Sequence, residues 1–428
     1  MEKISIVIPV LNEARNISLL IKKIQEVFSG IKGWDIEIIC VDGGSKDETV
    51  KVVKESGGNI FIQENPGFGQ AIYEGFRHAS GDFIVTMDAD FSHPPEFIPE
   101  MLKHIREADI IIASRYMPGG GCSAGLLRFS VSKFLCWLFR VGLSVPLRDL
   151  TSGFKIYKRE TVESLEIRSR EFEVQPEIVI HAYAQGWKIK EIPFFYKTRE
   201  VGKSHISRKL PRLAKGYLTI FWEFFKKRNS PFFADYDERA YDSNIMIQRY
   251  WQRKKYSIIM NFLQSRHAKV VDLGCGTSKI LQDLPNAVCV DINIGKLRYI
   301  RKSNTHLVNA DLRSLPFKSE VFDCAICSEV IEHVNDETIF KEFNRILRPS
   351  GQLILATPDY AKLLWRVVQF LYNRFFPGGY KQQHIKEYTK FTLEGMLRKY
   401  GFKAIAHNYI GGADLVVKAI KVKQSSCF

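Results

Sequence analysis

Residues 82–90 read DFIVTMDAD, an apolar run that closes on two aspartates one residue apart. So short a run, with no helical stripe, reads as a buried strand. Acids at a strand end stand where open α/β sheets keep their sites. Upstream, KISIVIPV (3–10) is a short strand, and Ile17, Leu20, Ile21, Ile24, Val27 and Phe28 recur at helical spacing. IEIICVD (36–42) is a second strand, followed by a helix from about Asp47. NIFIQE (59–64), a helix over 71–79 and a helix over 95–107 lead to ADIIIASR (108–115). This βαβα alternation predicts a mainly parallel, doubly wound sheet with its site at the carboxyl ends of the strands.

The pattern breaks at KKRNSPFFADYDERAYDS (226–243), a basic run followed by a charged, poorly periodic stretch. It restarts with a helix near 244–265 and the strands KVVDLGCG, AVCVDI, HLVNAD, FDCAICSE and GQLILATP. The fold class expected is therefore α/β with two tandem domains, 1–229 and 230–428. The 428 residues are ample for two cores, and 45% hydrophobic with 25% charged residues excludes a disordered or collagenous chain.

Charge is the unusual feature, 62 Lys+Arg against 47 Asp+Glu, a net +15. Residues 1–127 carry 12 basic and 18 acidic groups (net −6), residues 128–229 carry 21 and 10 (+11), and residues 230–428 carry 29 and 19 (+10). An acidic first segment needs a cation to meet a diphosphate, whereas the basic middle segment suits a phosphate or an anionic surface. No basic stretch is interleaved with a recognisable nucleic-acid-binding fold, so no nucleic-acid partner is expected.

The opening MEKISIVIPVLNE flanks a very short apolar run with charges and does not read as a secretory leader. Uncharged runs such as 134–139 and 216–222 fall far short of the roughly 18–20 residues a bilayer needs. The eight cysteines are scattered through apolar runs, as in a reducing cytoplasm. Cys324 and Cys327 are three apart in a strand, so they face opposite ways and make poor co-ligands. Leu210, Leu213, Ala214, Tyr217, Leu218, Phe221, Phe224 and Phe225 form a 3.6-period stripe beside Lys209, Arg212, Lys215 and 226–228, and 126–143 is rich in Leu and Phe with Trp137. Both stretches suit the plane of an anionic membrane surface. A peripheral place on the cytoplasmic face of a membrane is expected, with no transmembrane helix.

Three carboxylate groupings stand at three strand ends: Asn12 with Glu13, Asp42, and Asp88 with Asp90. Two aspartates so spaced can share a hard divalent cation with a diphosphate, leaving other positions for water. The ordered set PVLNE (9–13), VDGGSKD (41–47) and MDADFSHPPE (87–96) resembles the inverting family-2 glycosyltransferases of the GT-A nucleotide-sugar fold, and within them the dolichol-phosphate mannose synthase group. ASRY (113–116), PGGG (118–121), DLTSGF (149–154), QPE (175–177), EIP (191–193) and REVGKS (199–204) extend the resemblance.

It implies sugar transfer from a nucleotide-sugar donor, GDP-mannose or a UDP-sugar, to a polyprenyl phosphate, with Mg²⁺ or Mn²⁺. By position, Pro9, Leu11, Glu13 and Asp42 contact the nucleoside, and Asp88 and Asp90 hold the metal and diphosphate. Arg115, Arg128, Arg199 and Lys203 serve the acceptor phosphate, and Asp90, Asp149 and Arg115 are the catalytic candidates. Asp149 before Thr-Ser-Gly is equally good turn chemistry. Leu11 departs from a usually aromatic position, Gly43 from a second acid, Ser92 from a Gln and His205 from a Lys.

VVDLGCGTS (270–278) follows a strand and opens a helix, and 19 residues separate Asp272 from Asp291, which suits ribose hydroxyls. With NADL (309–312), LPF (315–317), Phe322–Asp323, SEVIEHV (328–334), LRPSGQL (347–353) and Thr357–Pro358, this half resembles the class I S-adenosylmethionine methyltransferases, close to the ubiquinone-biosynthesis-like O-methyltransferases. The resemblance implies S-adenosylmethionine as cofactor. Asp272, Gly274 and Gly276 border its methionine end, Asp291 and Ile292 its ribose, Asp311 and Leu312 its adenine, and Ser328 the fourth strand's end. Ser278 stands where a third glycine is usual. Glu329, Glu332 and His333 form E-x-x-E-H, which is either a metal or base site, with His333 the natural base, or a helix-start signature. His384, Tyr388, Phe391 and Thr392 lie where such domains cover their substrates. The methyl acceptor, a glycan or a lipid, stays open, as does a non-catalytic cofactor-binding module on a transferase that serves another acceptor.

Overall fold

The computed structural model describes residues 1–123, 126–197, 210–263, 269–301, 306–375 and 385–422. Arg199, Lys203, His205 and His384 lie outside them. The chain forms two compact units, residues 1–183 with 187–225, and residues 184–186 with 226–428.

The first unit is built on β1 (Glu2–Val10), β2 (Trp34–Asp42), β3 (Asn59–Ile62), β4 (Phe83–Thr86), β5 (Ile110–Ser114), the short β6 (Gly121–Cys122), β7 (Lys155–Lys158), β8 (Ile189–Pro193) and the short β9 (Phe195–Tyr196). Its main sheet runs β3-β2-β1-β4-β7-β5-β8. The expected parallel core is present in β3-β2-β1-β4 and in β5-β8. β7, which the alternation did not predict, is antiparallel to both β4 and β5 and separates them. KIYK carries lysines at both ends and reads as surface, yet Lys155 is fully buried.

The helix Ala14–Ser29 buries Ile17, Leu20, Ile21, Ile24 and Phe28 against Ile4, Ile6 and Ile8 of β1. Each such side chain removed from water contributes about 1.5–3 kcal/mol. The helix expected over 95–107 is shorter, a 3₁₀ turn Pro95–Phe97 running into Ile98–Leu102, where Pro94, Pro95 and Pro99 restrict the backbone.

The stripe on the helix Leu210–Lys227 is divided between the interior and the surface. Leu213, Ile220, Phe221 and Phe224 are buried, and Phe221 meets Phe139 of the helix Leu126–Leu143 edge to face at 5.6 Å. Burial of Leu213, Phe221 and Phe224 in the unit's own core corrects their reading as part of a membrane face, while Ala214 and Leu218 stay exposed. Leu218 of the stripe is left outside with Trp222, together with Val131, Phe134, Trp137 and Val141 of the partner helix. Among the described residues no helix is long and apolar enough to cross a membrane.

The second unit holds β10 (Val270–Leu273), β11 (Val288–Asp291), β12 (His306–Asn309), β13 (Phe322–Ser328), β14 (Leu347–Pro358), β15 (Phe402–Ile410) and β16 (Asp414–Lys421), ordered β12-β11-β10-β13-β14-β16-β15. The first five are parallel neighbours and the last two join antiparallel. Cys324 and Cys327 pack into different clusters on opposite faces of β13, as their spacing requires.

Candidate functional site

In the first unit, β1 and β2 pair so that Val10 lies beside Asp42, which brings PVLNE and VDGGSKD to one edge. Asp42 is buried. Its Oδ2 accepts the N–H groups of Gly44 and Ser45 at 3.0 and 2.9 Å, whereas Oδ1 has no hydrogen-bond partner. A buried carboxylate oxygen without a donor is costly unless a ligand supplies one. Leu11 is exposed beside it, and Asn12, at φ 56°, receives the Lys46 N–H on its side chain at 2.8 Å. Glu13 takes the Asn16 amide at 2.8 Å and opens the first helix. A Cβ on Gly43 would sit 3.4 Å from Gln63 Oε1 and 3.7 Å from Leu11 Cδ1, both ordinary contact distances.

Asp88 and Asp90 follow β4. The Asp88 N–H donates to Nδ1 of buried His93 at 2.9 Å, which puts the ring proton on Nε2. Burial lowers the His93 pKa against the pull of Asp88 and Asp90, so the ring is neutral. Asp90 is buried and accepts the Ser92 N–H at 3.1 Å, while the Ser92 hydroxyl is buried without a partner. Asp88 is half-buried, and the position a Cβ on Gly153 would take lies 3.7 Å from its Oδ1. Two hard oxygen donors one residue apart fit a divalent cation that keeps its other positions for water and phosphate. Pro9, next to last in β1, is half-buried beside Val41.

Arg115 and Asp149, two separate candidates in sequence, are joined. Arg115 Nε and Nη2 donate to Asp149 Oδ2 and Oδ1 at 2.8 and 2.7 Å, and the Arg115 N–H adds a bond at 3.0 Å. Burial pushes the Asp149 carboxyl up, but the Arg115 charge and these donors hold it below its ordinary value. Glu191 of EIP accepts the N–H groups of Arg148 and Asp149, both at 2.8 Å, and the Ser114 hydroxyl at 2.7 Å. Thr86 Oγ1 binds Gly153 O and Ser152 Oγ binds Ala113 O, both at 2.8 Å. The DLTSGF turn is thus bolted to β4, β5 and β8. Arg128 sits in the first turns of the helix Leu126–Leu143.

Sequence reasoning missed Lys155. Its ammonium donates to Ser152 O and Gln175 Oε1 in the interior, and burial lowers its pKa to about 7. Gln175, in QPE, was the available signal, since a buried amide needs a partner.

In the second unit a cavity of 1120 Å³ is lined by all eight residues assigned to the cofactor from sequence, and by His333. Gly274 and Gly276 have φ of 72° and 54°, and a Cβ on Gly276 would meet Asp237 Oδ2 at 2.4 Å. The loop needs glycine there on both counts. Asp291 accepts the Gly276 N–H at 2.9 Å and the Asn293 N–H at 2.8 Å, which aims it across the glycine loop. Asp272 Oδ2 is buried without a partner. Burial, then Asp291 and Asp237, raise its pKa to about 7. Ser328 Oγ is likewise buried and unpartnered. These orphaned oxygens and the glycine turns fit a ligand that brings donors of its own. Asp311 is held by the Arg313 fork, with Leu312 buried behind it and Ile292 exposed.

The E-x-x-E-H residues diverge. Glu332 is fully buried and accepts the Thr357 hydroxyl at 3.2 Å, with its pKa raised well above the ordinary value by burial and then Glu329. His333 and Glu329 line the cavity. Glu329 reaches Asp414 of β16, a fully buried acid that takes Trp251 Nε1 at 2.9 Å. Burial, then the Glu329 charge, raises the Asp414 carboxyl well above its usual range. Among the described residues no group of three or more His, Cys, Asp or Glu is arranged to hold a metal ion. Asp237 was also missed: it accepts the Thr277 N–H at 3.1 Å and Lys296 Nζ at 3.2 Å from a stretch that reads as linker. Tyr388 is buried and Phe391 exposed.

Residues 5–165 match the family described as "Glycosyl transferase family 2", and residues 271–355 match the family described as "Methyltransferase domain". The chain is 33% identical over 232 residues to a dolichol-phosphate mannosyltransferase of Pyrococcus furiosus, covering 52% of this chain and 64% of that protein. It is 28% identical to an undecaprenyl-phosphate mannosyltransferase of Micrococcus luteus, covering 47% and 86%. It is 32% identical to an undecaprenyl-phosphate 4-deoxy-4-formamido-L-arabinose transferase of Salmonella paratyphi B, covering 48% and 63%. The first α/β unit is thus similar to family 2 glycosyltransferases, and the second to methyltransferase domains.

Proposed function

We propose that the first unit, within residues 1–229, moves a sugar from a nucleoside diphosphate donor to a polyprenyl phosphate with inversion, and that the second, within 230–428, methylates a glycan or lipid from S-adenosylmethionine. The observation that carries the first half is the set of carboxylates at adjoining strand ends, with one Asp42 oxygen lacking a donor. The relatives support the acceptor more than the sugar: all three names carry a polyprenyl phosphate, while the sugars differ.

In this reading Asp42, with Pro9, Leu11 and Glu13, receives the nucleoside. Asp88 and Asp90 hold Mg²⁺ or Mn²⁺, which when bound offsets charge on the departing diphosphate. The acceptor phosphate is already ionised at pH 7, so no strong base is required, and attack from the face opposite the diphosphate inverts the anomeric carbon. Arg115, held rigid by Asp149, gives that phosphate a fixed positive edge, which Arg128, Arg199 and Lys203 extend. In the second unit Asp272, Gly274 and Gly276 hold the methionine end of the cofactor, Asp291 and Ile292 the ribose, Asp311 and Leu312 the adenine, and Ser328 the strand end. S-adenosylmethionine supplies the electrophilic methyl group, and His333 takes the acceptor's proton.

A peripheral place on an anionic membrane is supported by Trp137 and Trp222, 54% and 53% exposed, on helices that carry Lys133, Arg140 and Lys215. The test offers labelled GDP-mannose and UDP-sugars with polyprenyl phosphate and Mn²⁺, followed by extraction into organic solvent. Label confined to the aqueous phase for every donor would sink the first half. A parallel assay with methyl-labelled cofactor separates an active methyltransferase from a binding module.

A further inference from the structure

The net +10 of residues 230–428 is not used by the cofactor site, whose conspicuous side chains are acids. Part of it lies on two helices. Met246–Phe262 carries Arg249, Arg253, Lys254 and Lys255, and Leu363–Phe375 carries Arg366 and Arg374; neither contains an acidic residue. The same helices expose large apolar side chains. Met246 is 74% exposed and Phe370 69%, with Ile247, Tyr250, Leu363, Leu364 and Val367 also outside.

The two helices meet where Trp251 and Trp365 approach to 6.5 Å between ring centroids. Both indoles line the 1120 Å³ cavity, as do Ile247, Val368 and Ile385. The cavity is therefore polar at the strand ends, where Asp272, Asp291 and Asp311 stand, and apolar toward these helices. Its volume exceeds the roughly 300–1,000 Å³ of common small-molecule sites. A charged, polar cofactor has no use for an apolar wall formed by two basic helices. An acceptor held in a lipid surface does, because the exposed apolar residues enter the interface and the cations meet anionic head groups.

We propose that the methyltransferase unit itself docks on an anionic lipid surface through the Met246–Phe262 and Leu363–Phe375 helices, and that its methyl acceptor is an amphipathic lipid entering along the apolar wall that Trp251 and Trp365 form. This rests on the methyltransferase reading of the same cavity. It accounts for the basic excess of the second half without nucleic acid.

The experiment uses the full chain carrying Leu218→Asp and Trp222→Asp, so that the first unit's exposed face is silenced in every sample. Partition onto phosphatidylglycerol vesicles is measured by sedimentation without cofactor, before and after adding Met246→Asp and Phe370→Asp, two exposed residues outside the cavity lining. The added pair should lower the partition coefficient at least tenfold, and 0.5 M salt should do likewise to the parent. Unchanged partition would overturn the proposal. So would a lipid-free dimer that the same pair splits, since a second copy would then cover the face. Equilibrium dialysis with S-adenosylmethionine verifies that the variant is folded, and Met246→Ser with Phe370→Ser serves if the aspartates unfold it. Failure of the parent to bind S-adenosylmethionine would count against the methyltransferase reading alone, because vesicle partition is read without it.

Discussion

Arg115 and Asp149 are locked together by two side-chain hydrogen bonds of 2.8 and 2.7 Å, with Asp149 wholly out of water. Removing one partner of a buried pair leaves the other charge uncompensated, at a cost of about 3–5 kcal/mol. Asp149→Ala should therefore lower the urea midpoint sharply and abolish sugar transfer, whereas Arg115→Lys should fold and lose most of its activity. The Asp149 pKa is depressed on folding, so its contribution is present above the unfolded value near 4 and is lost as pH falls through the lower folded value. Asp149→Asn should flatten that acid limb.

Asp88→Asn and Asp90→Asn leave the fold's apolar core untouched. Each should reduce sugar transfer about 10²–10³-fold and raise the Mn²⁺ concentration needed for half-maximal rate. Circular dichroism should be unchanged. A variant that keeps full activity at low Mn²⁺ would remove that aspartate from the metal site.

Lys155 is depressed to about 7 by burial, so between about pH 7 and 10.5 the unfolded chain binds a proton that the folded one does not. Stability referred to this group therefore rises across that window and is flat below it. Denaturation midpoints of the parent minus those of Lys155→Met should show the rise. Two acceptors, Ser152 O and Gln175 Oε1, match the two N–H groups of a neutral amine.

Asp272 runs the other way. Its pKa is raised to about 7, so its contribution is complete below the unfolded value near 4 and is lost as pH climbs through 7. Asp272→Asn should be more stable than the parent at pH 8. It should also bind S-adenosylmethionine at least tenfold more weakly, because a charge-assisted hydrogen bond is worth about 1.5–3 kcal/mol. Thermal melts and dialysis on the same samples test both halves.

Leu213→Asp with Phe221→Asp should unfold the first unit, since both side chains are buried, whereas Leu218→Asp with Trp222→Asp should fold and bind anionic vesicles less. Equal melting temperatures for the two double variants would contradict the burial of Leu213 and Phe221.

Much of this was legible because periodicity and strand-end acids are local. Ile17 to Phe28, DFIVTMDAD and VVDLGCGTS each declare their element within a dozen residues. What escaped depends on partners far away in sequence. Lys155 looks like surface until Gln175 comes to meet it, and β7 is inserted antiparallel between strands that neighbour it only in space. Asp414 gains its meaning from Glu329 and Trp251, 85 and 163 positions away. The Leu210–Lys227 stripe had the right period, but period alone does not say whether protein or lipid covers it.

Asp237 stands 33 residues ahead of Val270, in the stretch that looks like a tether. Because its carboxylate anchors Thr277 and Lys296, the second unit draws part of its cavity wall from outside residues 271–355. A fragment beginning at the first strand would carry every glycine of the loop and still lose the anchor of Thr277. Any dissection of the two activities into separate polypeptides must therefore cut upstream of Tyr236, and the apparent spacer cannot be shortened or exchanged freely.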